Sequence, residues 1–199
     1  RRPPMEGGPA HDAHELIGRG DELTTITALL DGPSTARLVS LIGPGGVGKT
    51  TLARAVLDRP SVEFAATRFV NLAAVTSADG VWESLARSIA EHGTEYADAR
   101  QLATRELARS RALVVLDNCE QIDGLHAVVG DLLAETPTVI VATSRRRIGA
   151  PGEQIVSVEP LPLPTPSESL AGVVDNESVR VLTNAARRRN PSFTVDVGN

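Results

Sequence analysis

A glycine-rich segment of eight residues constrains the possible folds of this chain more than any other feature of its sequence. Residues 43–50 read GPGGVGKT and match the pattern G-x-x-x-x-G-K-[ST] at every fixed position. An apolar run of strand length, 37–42, precedes the segment, and a helical pattern from about Lys49 to Leu57 follows it, ended by Pro60. A glycine-rich turn between a strand and a helix is the setting of a phosphate-binding loop, so the sequence predicts one here.

Each fixed position of this loop has a physical role. Glycines let the backbone turn its N–H groups towards a phosphate without Cβ collisions, and the following helix adds the positive end of its dipole. Lys49 is expected to reach the β- and γ-phosphates, Thr50 to bind Mg²⁺ through its hydroxyl, and Thr51 to donate to the α-phosphate. The alternative is a glycine-rich turn that happens to precede a lysine. The predicted nucleotide-binding residues of the loop are Gly43, Gly45, Gly46, Val47, Gly48, Lys49, Thr50 and Thr51.

A second apolar strand ends in an acid. Residues 112–117 read ALVVLD, which is typical of a strand buried on both faces, and Asp117 at its tip is the predicted second contact to Mg²⁺. The alternative is a strand-end aspartate that caps a turn. One strand candidate, 67–72, separates the two motif strands in sequence. This resembles the P-loop subclass in which the strand after the second motif, here 138–143, inserts between the two motif strands in space. Arg145 would then face the γ-phosphate from the tip of that strand, unless it belongs to a solvated basic loop.

The residue that activates water for hydrolysis is the weakest part of the predicted site. Many P-loop ATPases carry an acid directly after the metal-binding aspartate, but here that position is Asn118, which can hold a water and cannot take its proton. Glu120 is the nearest acid, and with Lys49, Asp117 and Arg145 it completes the catalytic candidates. We therefore expect slow turnover, or a switch that depends on binding more than on catalysis.

Strand and helix patterns alternate along the rest of the chain. They predict helices over 21–30 and 122–133, helical patterns around Trp82 and Leu102, a strand at 154–158 and a helix around Val179–Ala186. The alternation predicts an α/β protein of three layers, α/β/α, with a parallel sheet. Similarity to the P-loop NTPase subclass noted above implies the strand order 5-1-4-3-2. Prolines at 160, 162, 164 and 166 indicate a stiff connector. We predict a linker or tail at 1–14, a nucleotide-binding domain at 15–160, and the truncated start of a small helical subdomain at 161–199.

Composition argues against several other classes of protein. The formal net charge is −5, from 20 Lys+Arg and 25 Asp+Glu, which is unlike a DNA-binding module or a protein that binds anionic membranes. No apolar run approaches the roughly 20 residues that span a bilayer. The single cysteine, Cys119, cannot form an internal disulfide and is expected to be a small buried residue. The histidines (His11, His14, His92 and His126) show no metal-ligand spacing and are expected at the surface. We expect a cytoplasmic fragment of a longer protein.

Several short motifs in a fixed order resemble one family of nucleotide-binding domains. They are LIGRGDEL at 16–23, the phosphate loop, LDNCE at 116–120, ATSR at 142–145, GAPGE at 149–153, PLPLP at 160–164 and ESVR at 177–180. Together they are similar to the NB-ARC-like domain of STAND ATPases (signal-transduction ATPases with numerous domains), in the branch of bacterial SARP/AfsR-type and large LuxR-type transcriptional regulators. A guanine-reading Asn-Lys-x-Asp motif is absent, which leaves ATP as the expected nucleotide.

The resemblance implies a regulatory switch that binds ATP or ADP with Mg²⁺. It implies that Ile17, Gly18 and Arg19 lie against the adenine and ribose, and that the segment after Pro160 begins a helical subdomain that closes over the nucleotide. The implied partners are other domains of the same longer chain, further copies through nucleotide-dependent self-association, and DNA through segments outside residues 1–199. The alternatives are a small-molecule P-loop kinase, a nucleotide-binding module without significant hydrolysis, and a direct DNA-binding module.

Overall fold

A parallel sheet of five strands organises the described residues, which are 16–31, 36–58, 64–90 and 96–196 of a computed structural model. The strands are β1 (Leu38–Ile42), β2 (Ala66–Asn71), β3 (Ala112–Asp117), β4 (Val139–Ser144) and β5 (Glu153–Ser157). Their order across the sheet is β2-β3-β4-β1-β5, and each neighbouring pair is parallel. The predicted fold class, the predicted strand order and the insertion of β4 between the two motif strands are all confirmed.

Seven helices accompany the sheet in the same described ranges. They are α1 (Gly20–Asp31), α2 (Lys49–Asp58), α3 (Ala78–Ile89), α4 (Ala99–Leu107), α5 (Leu125–Glu135), α6 (Leu170–Asp175) and α7 (Glu177–Arg189). Helix α5 begins three residues later than the apolar pattern from Ile122 predicts, because Gly124 adopts a left-handed conformation with φ 75° at its N-cap. Ile122 is still buried, so the apolar pattern predicted its burial correctly and was wrong only about the residue at which the helix begins.

The two faces of the sheet carry separate hydrophobic clusters. Alternate residues of β3 divide between them: Leu113 and Val115 pack with α1 and α2, whereas Val114 and Leu116 pack with α3, α4 and α5. All six residues of β3 are buried, as expected for a strand covered on both sides. The three-layer architecture therefore follows from the uninterrupted apolar runs of the central strands.

Parallel strands bring their carboxyl ends to one edge of the sheet. The phosphate loop follows β1, Asp117 ends β3, and Arg145 directly follows β4, so the predicted phosphate and metal contacts meet at this edge. This is the position where open α/β sheets bind ligands. The connector from 158 to 169 forms neither helix nor strand, in keeping with its prolines, and leads to α6 and α7.

Some sequence-based predictions fall outside the described residues. These are the linker at 1–14, the helix stop at Pro60 and three of the four histidines, whereas His126 is exposed as expected. Within the described ranges, no helix combines the length and apolarity that crossing a membrane requires.

Candidate functional site

The phosphate loop joins the end of β1 to the first turn of α2. Gly46 and Gly48 have φ values of 76° and 100°, a left-handed region that glycine enters without steric cost. A Cβ on Gly43 would lie 2.3 Å from the Val158 carbonyl oxygen, so this position tolerates no side chain. The loop path therefore depends on glycine at these positions for two different reasons, backbone conformation and close approach.

Lys49 is buried at the base of this loop. Its Nζ donates to the carbonyl oxygens of Gly43 at 2.8 Å and Pro44 at 2.7 Å. Burial lowers the pKa of Lys49, and this shift is opposed by Glu120 and favoured by Arg145. The ammonium group is thus held against the loop that the sequence predicts to surround a phosphate.

Thr50 and Asp117 meet although 67 residues separate them in sequence: Thr50 Oγ1 donates to Asp117 Oδ1 at 2.9 Å. A hydroxyl and a carboxylate are the hard oxygen ligands that Mg²⁺ prefers. Among the described residues there is no cluster of three or more His, Cys, Asp or Glu side chains able to hold a metal ion. This donor set fits Mg²⁺, which takes few protein ligands and completes its shell with water and phosphate oxygens.

Glu120 and Arg145 form an ion pair beside the loop. Arg145 Nε lies 3.0 Å from Glu120 Oε1, and Arg145 Nη2 lies 3.3 Å from the position of a Cβ on Gly45. The other carboxylate oxygen, Glu120 Oε2, is buried and has no hydrogen-bond partner among the described residues. The sequence left the direction of Glu120 open, and the structure turns it towards Arg145.

Cys119, which directly precedes Glu120, is buried, as predicted. Burial raises the pKa of its thiol, and the neighbouring Asp117 carboxylate adds to the effect. The thiol therefore stays protonated at neutral pH and does not act as a nucleophile.

A cavity of about 620 Å³ opens beside the phosphate loop. Its walls come from the segment before α1, the phosphate loop, the start of the connector and α7; the lining residues are Leu16, Ile17, Arg19, Pro44, Gly45, Gly46, Val47, Gly48, Thr51, Pro160, Leu161, Ser178, Val181, Asn184, Ala185 and Arg188. This volume lies within the range of about 300–1,000 Å³ that is usual for small-molecule sites. The phosphate loop therefore faces a space that can hold a ligand.

The segment before α1 is fixed to the loop and the connector by Arg19. Arg19 is only 6% exposed, and its guanidinium donates to Glu22 Oε1 at 2.6 Å, to the Val47 carbonyl at 2.9 Å and to the Glu159 carbonyl at 2.7 Å. Gly18, with φ 66°, allows close packing here, because a Cβ would lie 2.5 Å from Glu177 Oε2. Arg19 lines the cavity, and it also has a tethering role that the sequence did not reveal.

The motif resemblance implied that the segment after Pro160 closes over the nucleotide, but the α7 residues that wall the cavity were not singled out from the sequence. Ser178, Val181, Ala185 and Arg188 recur at helical spacing, so their presence on one helix face could have been found from sequence. That this face turns towards the phosphate loop depends on how the connector folds back, for which the sequence carries no local signal.

Comparisons with known proteins identify a family for this chain. The sequence profile of a family described as an AAA ATPase domain matches residues 15–147. A provisionally named HTH-type transcriptional regulator of Mycobacterium tuberculosis is 35% identical over 161 residues, which is 80% of this chain and 17% of that protein. A disease resistance protein of Arabidopsis thaliana is 28% identical over 143 residues, covering 63% of this chain and 12% of that protein. The match thus spans about a sixth of the length of the regulator and about an eighth of the length of the disease resistance protein.

Solved structures support the fold. The crystal structure of Cdc6p from Pyrobaculum aerophilum aligns with a TM-score of 0.56 and 17% identity, covering 78% of this chain and 48% of that one. The resemblance drawn from the motifs, to a P-loop ATPase domain found in transcriptional regulators, is confirmed by the family profile and the curated relatives.

Proposed function

This chain belongs to the AAA ATPase domain family, and we propose that it binds ATP or ADP together with Mg²⁺ in the cavity beside the phosphate loop. The observation that carries the proposal is that three glycines of the loop and Thr51 form one wall of a ligand-sized cavity. Backbone N–H groups at the start of α2 favour an anion at this wall, and buried Lys49 supplies a full positive charge.

The rest of the cavity suits a base and sugar. Leu16, Ile17, Leu161 and Val181 give it apolar surface, which an adenine ring would contact. We assign Ile17, Gly18 and Arg19 to this end of the ligand, with Arg19 acting through the segment that it fixes. Thr51 faces the α-phosphate at the other end.

Mg²⁺, when bound, would be held by Thr50 and Asp117 and would neutralise charge on the β- and γ-phosphates. Arg145 stands where it can bind the third phosphate, since its guanidinium already lies against Gly45 of the loop. When Arg145 binds a phosphate oxygen in place of Glu120, the Glu120 carboxylate would lose its present ion pair and become free.

Hydrolysis would be slow and would use Glu120. Water attacks the γ-phosphorus, the bond to the β–γ bridging oxygen breaks, and a carboxylate accepts the proton released by the water. Two observations support this role for Glu120: its Oε1 pairs with Arg145, and its Oε2 is buried without a hydrogen-bond partner among the described residues. Asn118, directly after Asp117, cannot accept that proton.

We further propose that the nucleotide acts as a regulatory ligand in a longer cytoplasmic protein. The phosphate loop and α7 face each other across the cavity, so a ligand that contacts both changes the balance between arrangements of the two. Nucleotide-dependent self-association, contacts with other domains and DNA contact through segments outside residues 1–199 would follow from that switch. The transcriptional-regulator relative supports this context.

The direct test is the substitution Lys49→Ala, measured by calorimetry with ATP and with ADP in the presence of Mg²⁺. Binding should be lost while circular dichroism and the unfolding temperature show an intact fold. The matched control is Arg146→Ala, which removes an exposed positive charge from the loop after β4. Unchanged ATP affinity in the Lys49 variant would refute the proposal.

A further inference from the structure

Thr143 makes contacts that the proposed nucleotide site does not explain. It is the penultimate residue of β4, and it is 1% exposed. Its hydroxyl donates to Asp117 Oδ1 at 2.6 Å and accepts from the backbone N–H of Asn118 at 2.9 Å. Its carbonyl oxygen accepts from the N–H of Cys119 at 2.9 Å. One buried residue of β4 therefore bonds to three consecutive residues at the tip of β3.

The direction of these hydrogen bonds is determined by their chemistry. The N–H of Asn118 can only donate, so the Thr143 oxygen receives that bond and directs its own proton elsewhere. Ionised Asp117 can only accept, and the 2.6 Å separation is typical of a hydroxyl bound to a carboxylate. The Thr143 hydroxyl thus links the backbone directly after β3 to the Asp117 carboxylate at the end of that strand.

The carboxylate of Asp117 needs such partners to hold one orientation. The terminal torsion of an aspartate side chain has broad energy wells, so rotation about it costs little without hydrogen bonds. The other two donors are Thr50, which is itself a proposed metal ligand, and Asn118, whose Nδ2 donates to Oδ2 at 3.1 Å and whose side chain is partly exposed. Thr143 is the fully buried donor on a central strand.

We propose that Thr143 is a positioning residue for Mg²⁺: it contacts neither metal nor nucleotide, and it fixes the plane of the Asp117 carboxylate that binds the metal with Thr50. This inference rests on the proposed function, since it presupposes that Mg²⁺ and a nucleotide bind here. Loss of a partner that orients a metal ligand typically lowers metal affinity by about 10–100-fold. The same loss should leave metal-free nucleotide binding unchanged, because Thr143 is 1% exposed and its hydroxyl is already bonded to Asp117 and Asn118.

The test is a Mg²⁺ titration of fluorescently labelled ADP binding to the 199-residue chain, with anisotropy as the readout. Thr143→Val keeps the branched shape and removes the hydroxyl, so the Mg²⁺ concentration at half effect should rise by about tenfold. ADP affinity in EDTA should match that of the unsubstituted chain. Thr143→Ser restores the hydroxyl and should return the midpoint to within about twofold of the original, allowing for its less restricted rotamer.

Thr138→Val is the matched control. Thr138 is also fully buried and directly precedes β4, but its hydroxyl has no hydrogen-bond partner among the described residues. Its Mg²⁺ midpoint should not change. If Thr143→Val does not fold, Thr143→Cys makes the same comparison, because a thiol of similar size donates only weakly.

The outcomes separate the two proposals. If the unsubstituted chain binds no ADP, or binds it without any effect of Mg²⁺, the proposed function is wrong. If the unsubstituted chain responds to Mg²⁺ and the folded Thr143→Val or Thr143→Cys variant responds at the same concentration, the role assigned to Thr143 is wrong and the nucleotide site stands.

Discussion

Arg145 Nε lies 3.0 Å from Glu120 Oε1, so the two charged side chains expected at the terminal phosphate are bound to each other in this structure. The Arg145 side chain is 65% exposed, whereas that of Glu120 is 23% exposed. Solvent screens the exposed partner, and an ion pair of this kind contributes little stability. A more highly charged phosphate can therefore compete with Glu120 for the guanidinium.

The first prediction is that Arg145→Ala weakens ATP binding by about tenfold and leaves ADP binding nearly unchanged, because a charge-assisted bond to the third phosphate is lost. Calorimetric titration of both nucleotides measures the effect. Arg146→Ala, a neighbouring exposed arginine, serves as the control and should alter neither affinity. An Arg145 variant with the original ratio of ATP to ADP affinity would exclude phosphate sensing by this residue.

The second prediction concerns Glu120→Gln, which keeps the size of the side chain and removes its ability to accept a proton. Removal of a general base typically slows catalysis by 10²–10⁴-fold, so single-turnover ATP hydrolysis should fall by about 100-fold or more. ATP affinity should be retained, since the third phosphate displaces residue 120 from Arg145 in either case and a neutral amide competes for the guanidinium no better than a carboxylate. Hydrolysis at the original rate in this variant would mean that another group, or bulk solvent, takes the proton.

A site residue can be predicted from the sequence when the pattern that marks it lies in a short contiguous segment. The phosphate loop is a contiguous segment, and the positions of Lys49 and Thr50 follow from it. Asp117 was singled out because a fully apolar strand ends there. The parallel sheet follows from the alternation of strands and helices, whereas the strand order came from similarity to a P-loop subclass. Arg145 could be placed near the loop because the strand before it was expected to lie between the two motif strands.

Contacts that depend on long-range packing were not accessible in the same way. The bond between Thr143 and Asp117 spans 26 residues, and the bond between Arg19 and the Glu159 carbonyl spans 140. No regular spacing in the sequence indicates that either pair of residues is in contact. Helix α6 was also missed, since its six residues are too few to show helical periodicity.

The third prediction uses the only lysine of the sequence, Lys49. Because burial lowers its pKa, a larger fraction of the amine is neutral at a given pH than in an ordinary lysine, whose pKa is about 10.4. The rate of acylation by an amine-reactive reagent rises as the amine loses its proton. The pH at which this rate is half-maximal should therefore be lower for native Lys49 than for the same lysine in the denatured chain. Peptide mass spectrometry separates this product from that of the N-terminus.

Bound ATP with Mg²⁺ should suppress this acylation, since phosphate charge near the ammonium raises its pKa and covers it. The lowered pKa of Lys49 also affects the pH dependence of the free energy of unfolding. Between the pKa of Lys49 in the folded chain and its pKa in the unfolded chain, the unfolded chain binds more protons, so the folded state becomes more stable as pH rises through that interval. A labelling profile that coincides in native and denatured protein would contradict the buried position of Lys49.

The fourth prediction concerns Arg19, whose guanidinium joins three separate parts of the chain. Lysine retains the positive charge but lacks the planar fork that reaches Glu22, Val47 and Glu159 together. Arg19→Lys should lower the free energy of unfolding by about 2–3 kcal/mol, through the loss of charge-assisted bonds made by a buried arginine. Urea denaturation followed by circular dichroism measures this loss.

Nucleotide affinity should fall with it, because Val47 lies in the phosphate loop and the Glu159 carbonyl marks the start of the connector that walls the cavity. Glu22→Gln is the matched control: it removes the charge at one end of the tether and leaves both carbonyl contacts in place. That variant should lose about 1 kcal/mol or less and keep its ADP affinity. If Arg19→Lys instead matches the unsubstituted chain in both stability and ADP affinity, the tether does not shape the site, and Arg19 serves only as part of its surface.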